Sequence, residues 1–315
     1  MDGGRRVRWS TFRTSDGTQQ VGVWRGSELF PVPGVERLVD LLDSLQAAGD
    51  EAIRRSAAVD PATVELLAPV PEPPAIRDFM AFEEHVVTAS AAIGLTVDPL
   101  WYRQPVFYFT NPAAVIGPHA DVAISPGSSA FDYELEVAAV IGRAGADLTP
   151  AQAVDHIAGF VLFCDWSARD LQGAEMALNL GPAKGKDSAN GFGPWLVTTD
   201  ELAERAAGRS YDIAMSAAVN GEGYSRGNLA DLYWSFGEMI AYASRGTRVR
   251  PGDVIGSGTV GTGCILELGR VHGAERYLYL KAGDRVHLEA ELLGAIDATL
   301  LPARPLVPLR AEATT

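Results

Sequence analysis

Residues 131–140 read FDYELEVAAV, and the run joins two patterns that seldom share one strand. From Glu136 onward, EVAAVI is the apolar run of a strand bound for a protein core. Ahead of and at its start stand Asp132, Glu134 and Glu136. Side chains two apart on a strand share a face, so Glu134 and Glu136 point the same way, about 7 Å apart. Two ionised carboxylates on one buried face repel each other and lose hydration. Such a pair is solvated on an edge strand, paired with arginines, or bridged by a hard cation such as Mg²⁺, Mn²⁺ or Ca²⁺, which prefers oxygen. This motif leaves all three open.

Neighbouring segments add chemistry. FVLFCDWSARDLQ (160–172) carries an apolar strand straight into Asp165, then offers Arg169, Asp170 and Gln172. Asp165 is either a ligand at a strand end or the N-cap of a short helix begun by WSAR. Arg169 is either part of a site or a structural partner of Glu134 or Glu136. In RDFMAFEEH (77–85), the spacing of seven predicts Asp78 and His85 on nearly the same face of a helix. A histidine beside carboxylates suits a general base for water; His119, His156, His272 and His287 stand in no such context. GPAKGKDSANGFGPWLVT (181–198) sets Lys184 and Lys186 in a glycine-rich loop before a strand. GSGTVG (256–261) fits the dinucleotide fingerprint GxGxxG, but that motif must open a helix, and the following CILELGRV reads as a strand. A nucleotide site is rejected, and the glycines are read as permitting close backbone approach.

The 315 residues suffice for a large core, and a net charge of −14 disfavours nucleic-acid partners. The N-terminal MDGGRRVRWSTFRTSDG has arginines without an apolar core region, unlike a secretory leader, and runs such as FVLFC are too short to span a membrane. Cys164 and Cys264, without a CxxC pattern, read as buried thiols of a cytoplasmic protein. Alternating residues 6–32 predict a small antiparallel sheet, and Leu38, Leu41, Leu42 and Leu45 in ERLVDLLDSLQAAGDEAIRR predict a helix. The proline-dense LLAPVPEPPAIRDF places a domain boundary near 66–76, separating a small N-terminal β-rich domain (1–70) from a larger one (71–315). The second domain reads as successive strands with a few helices, an α+β, mostly β class without βαβ alternation.

In order along residues 70–295, the segments RDFxxFxxH, PVFY, DYELE, DWSARDLQ, GKxxxxxxGPW and SRGTRVRPGDVIGSGT resemble the fumarylacetoacetate hydrolase (FAH) superfamily. The resemblance implies a mixed β-roll catalytic domain, a homodimer, and a divalent metal, Mg²⁺, Mn²⁺ or Ca²⁺, held by Asp78, Glu134, Glu136 and Asp165. It implies His85 as the water-activating base. Arg169, Gln172 and Lys186 would hold substrate and developing negative charge, with Lys184 a competitor for the lysine role. Tyr108 and Thr259 match substrate-contacting positions. Two departures stand out: TVGTGC after Gly258 lacks the glutamate that would pair with the histidine, leaving Glu83 or Glu84, and VVTASAAIG lacks an arginine to grip a substrate carboxylate. The expected reaction is C–C hydrolysis of an acylpyruvate or related β-diketo acid. Decarboxylation, isomerisation or hydration of a 2-oxo acid is the alternative, and a non-catalytic cation-binding protein a third reading.

Overall fold

The apolar run that follows Glu134 lies in the middle of a twelve-stranded mixed sheet. In this computed structural model, residues 7–92 and 94–310 are described; the first six residues, part of the leader reading, lie outside them. Along the sheet the strands run Glu28–Pro31, Gln19–Arg25, Arg8–Arg13, Leu196–Thr198, Ile157–Asp165, Leu135–Ile141, Val254–Gly256, Ile76–Phe79 and Phe107–Thr110. A second, five-stranded sheet is built from Glu222–Asn228, Ala214–Val219, Arg285–Ala290, Gly294–Leu301 and Val122–Ala123. Among the described residues the α-helices are α1 (Leu45–Arg55), α2 (Glu83–Ala92), α3 (Pro150–Val154), α4 (Arg169–Met176), α5 (Phe236–Ser244) and α6 (Ile265–His272). The fold is α+β and mostly β. No helix among the described residues is long and apolar enough to cross a membrane.

Alternation sorts each central strand between two cores. Val137, Ala139, Phe160 and Leu162 pack in the larger core with residues of the second sheet. Ala138, Val140, Val161, Phe163 and Ile76 face the other way, into a core shared with Trp9, Val21, Val23 and Leu45. The predicted N-terminal meander is present from Arg8, but it extends the large sheet, because Trp9 pairs with Leu196 and shares that second core.

Three local readings need correction. The continuous helix expected from Glu36 is a 3₁₀ turn, Leu38–Leu41, followed by α1. Asp78 and His85 do not share a helix: Asp78 lies within the strand Ile76–Phe79, and α2 begins only at Glu83. CILELGRV is not a strand but forms α6, whose Ile265 and Leu268, three apart, are buried on one face. The Asp132 carboxylate accepts hydrogen bonds from the Ile265 and Leu266 N–H groups, two donors that a helix start leaves unpaired.

Candidate active site

Sheet register assembles the acids. Leu135 pairs with Cys164, Ala138 with Gly256, and Gly256 with Asp78. The starting end of one strand therefore lies beside the finishing ends of three others. Glu136 shares its parity with Ala138, Asp165 with Phe163, and Asp78 with Ile76, so all three acids project from one face at one edge. Glu134 precedes the strand, held by an isolated bridge to Cys264. One carboxylate oxygen from each of Asp78, Glu134, Glu136 and Asp165 lies within 4.8 Å of the others, and all four residues are buried.

At that separation, two unit charges repel by roughly 3.5 kcal/mol at an effective dielectric of 20. Lys186 Nζ answers part of this, 2.7 Å from Glu134 Oε2 and 2.7 Å from Asp165 Oδ2. Arg169 is divided between Glu134, 2.6 Å from Nη1, and Asp132, 2.8 Å from Nε. Burial raises the Glu134 carboxyl, yet Lys186 and Arg169, with His85 behind them, outweigh burial and hold it far below the usual range. Among the described residues no cation forms an ion pair with Asp78 or Glu136. Burial first, and the surrounding carboxylates after it, push both well above the usual range. Asp165 is pushed up to about 6 by burial, against the pull of Lys186.

The donor set fits a hard divalent cation. Glu136 Oε1 and Asp165 Oδ1 are buried oxygens without a hydrogen-bond partner among the described residues, and the cluster offers only carboxylate oxygen. Within FDYELEVAAV the first acid, Asp132, anchors Arg169 and the start of α6, while Glu134 and Glu136 belong to the four-carboxylate cluster that could hold a cation.

The cluster has a consequence for stability. A carboxyl whose folded pKa is raised favours the folded chain when protonated, and this contribution is lost as pH rises through the folded value. Chelator-treated protein should therefore gain thermal stability as pH falls from 7.5 toward 5.5. A saturating divalent cation at 100 times its dissociation constant should raise the melting temperature by on the order of 5 °C at pH 7.5. The increment should be smaller at pH 5.5; scanning fluorimetry at both pH values checks this.

The glycine motif serves this cluster. The Gly258 N–H approaches Glu136 Oε2 at 3.1 Å and Asp78 Oδ1 at 3.2 Å. Gly258 takes φ +77, and a Cβ there would collide with the Phe79 carbonyl, while a Cβ on Gly256 would strike Asp78 Oδ1. Gly258→Ala should cost about 1–3 kcal/mol of stability and weaken cation binding together, as read by melting and metal titration.

A cleft of about 340 Å³ opens over the cluster, and Asp78, His85, Tyr108, Glu134, Gln172, Lys186 and Thr259 line it. Glu136, Asp165 and Arg169 stand behind its wall. Tyr108 donates from its hydroxyl to Asp165 Oδ2. Arg169 Nη1 donates to Gln172 Oε1 at 3.2 Å. Asp165 does not cap a helix: α4 starts at Arg169 behind Ala168. Lys184 is exposed and paired with Asp187, so the buried lysine of the site is Lys186.

Across the cleft, His85 Nδ1 lies 2.8 Å from Glu267 Oε2, although the alignment is not yet that of a hydrogen bond. A strand reading of CILELGRV hides Glu267, and neither Glu83 nor Glu84 takes this place: Glu83 meets the Tyr102 hydroxyl, and Glu84 packs on Gly261. The signal that would have found Glu267 is the helical spacing of Ile265 and Leu268 around it.

A family model for the fumarylacetoacetate (FAA) hydrolase C-terminal region matches residues 75–301. The chain belongs to the fumarylacetoacetate hydrolase family. It is 32% identical over 250 residues to a Burkholderia multivorans protein carrying only a general hydrolase name, covering 78% of this chain and 83% of that one. Fumarylacetoacetate hydrolase from the psychrophilic Exiguobacterium antarcticum superposes with a TM-score of 0.74 at 26% identity, over 95% of this chain and 100% of that one. Maleylpyruvate hydrolase from Sphingobium sp. SYK-6, solved with manganese(II) and pyruvate, shares the fold, with a TM-score of 0.70 at 21% identity over 94% and 100% of the two chains.

Proposed function

We propose that this member of the fumarylacetoacetate hydrolase family hydrolyses a C–C bond in an acylpyruvate or related β-diketo acid, giving a carboxylic acid and pyruvate. The observation that carries the reading is His85, backed by the buried Glu267, lining the cleft that also reaches Asp78 and Glu134 of a four-carboxylate cluster. The manganese and pyruvate held by the Sphingobium enzyme support the same assignment.

Asp78, Glu134, Glu136 and Asp165 would hold a divalent cation, Mg²⁺ foremost, which polarises the carbonyl oxygens of a bound 2-oxo acid. His85 presents Nδ1 to Glu267, which leaves Nε2 to take a proton from water. Glu267 orients the ring and stabilises the imidazolium formed. The hydroxide adds to the acyl carbonyl, the bond between that carbon and the pyruvyl C3 breaks, and its electron pair passes into the pyruvyl enolate. Lys186 Nζ spends two donors on Glu134 and Asp165, leaving a third for developing negative charge. Protonation at C3 releases pyruvate. Gln172, steadied by Arg169, and Thr259 line the wall where the substrate head would sit. On this reading the protein is a cytoplasmic homodimer, with its two buried free cysteines suited to a reducing compartment.

The test follows the enol absorbance of an acylpyruvate panel with Mg²⁺ or Mn²⁺ and again with EDTA. Metal-dependent decay with both acids found by mass spectrometry is the expected result. Decay with loss of CO₂, or with isomerised substrate and no fragments, would replace hydrolysis by decarboxylation or isomerisation.

A further inference from the structure

The cleft changes character along its length, and the change is built into both walls. On one wall, Asp78 pairs with Tyr108 and Phe79 with Phe107, and the Met80 N–H then donates to the Val106 carbonyl at 3.2 Å. Exposure rises in the same direction, from 2% at Asp78 to 46% at Val106. On the other wall, one turn of α4 leads from Gln172 to Met176, which is 51% exposed. Polar groups thus gather at the buried end, while Met80, Val106, Phe107, Met176 and Pro182 line the rest. Between Met176 and Pro182 the chain also exposes Leu178 and Leu180.

Cations are confined to the inner end. Lys186 lies at the buried end, with two of its donors on Glu134 and Asp165, and His85 is turned to Glu267. Among the described residues no arginine and no second lysine lines the cleft. A second carboxylate carried outward by a substrate would lose hydration against methionine and phenylalanine without a counter-charge. Apolar carbon in the same place would gain from burial.

We propose, on the hydrolase reading above, that the substrate is an acylpyruvate with an uncharged apolar acyl arm, alkanoyl or aroyl, and that Met80, Val106, Phe107 and Met176 select it. Lys186 and a cation held by the inner acids would receive the dioxo acid head, and the apolar walls receive the arm.

The experiment compares three ligands on the full-length, Mn²⁺-loaded protein: 2,4-dioxopentanoate, 2,4-dioxononanoate and 2,4-dioxononanedioate. Affinity is read by titration calorimetry and kcat/KM by enol decay. The nonanoate should exceed the pentanoate by at least 10-fold, since each buried methylene contributes up to about 4-fold. It should exceed the dioate by about 100-fold, set by the cost of an unpaired buried charge. Val106→Arg should narrow the second gap by 10-fold or more through gains by the dioate. Equal or tighter binding of the dioate to the wild type overturns the proposal, as does an unchanged ranking in Val106→Arg. Ranked binding without turnover of any ligand would leave the apolar arm standing and sink the hydrolase reading. Absence of binding by all three would end both.

Discussion

Glu136→Gln should reduce divalent-cation affinity by 100-fold or more and turnover by at least about 1000-fold, while raising the melting temperature of the chelator-treated protein. The two effects have one cause. Glu136 is fully buried, its Oε2 is already satisfied by the Gly258 N–H, and its Oε1 has no partner among the described residues. Glutamine keeps the shape and can still accept from Gly258. It removes one negative charge from a cluster that repels itself without a cation, and it removes a ligand from the cluster that would hold one. A residue needed only for packing would lower stability and activity together. Opposite movement of the two, read by metal titration and scanning fluorimetry, separates a ligand from a structural acid.

His85→Ala should lower kcat by about 100- to 10,000-fold with cation affinity nearly unchanged, the range that loss of a general base produces. Glu267→Gln should lower it less, by about 10- to 100-fold, since the amide can still orient the ring but no longer stabilises the imidazolium. Glu267 is 1% exposed and sits on α6, with Cys264 Sγ 3.7 Å from its Oε2, so the glutamine variant retains its setting. Comparison of both variants by steady-state kinetics and Mn²⁺ titration assigns the base. Wild-type turnover in His85→Ala, with intact metal binding, would remove the histidine from the mechanism.

The acids were legible in the sequence because a carboxylate inside or at the end of an apolar strand contradicts its surroundings, and Glu136 and Asp165 are both of that kind. Their convergence was not. It depends on the register that places Gly256 between Ala138 and Asp78, a long-range pairing without a local signal. Glu267 stayed hidden for a different reason. CILELGRV satisfies a period of two nearly as well as a helical one, and the contact that favours the helix comes from Asp132, 133 positions away. The asp–his spacing of seven was equally ambiguous: Asp78 and His85 do reach one cleft, but by a strand, a turn and a helix rather than two turns of one helix. The apolar outer half of the cleft could not be foreseen, since Val106 and Met80 meet only through strand pairing.

The most direct test is turnover of an acylpyruvate in H₂¹⁸O with Mg²⁺, and again after EDTA treatment, with products resolved by mass spectrometry. Hydrolysis through His85 and the carboxylate cluster places one ¹⁸O in the carboxyl group of the acid released from the acyl half, and only when the metal is present. Metal-independent turnover, or consumption of substrate without ¹⁸O in that acid, would contradict it.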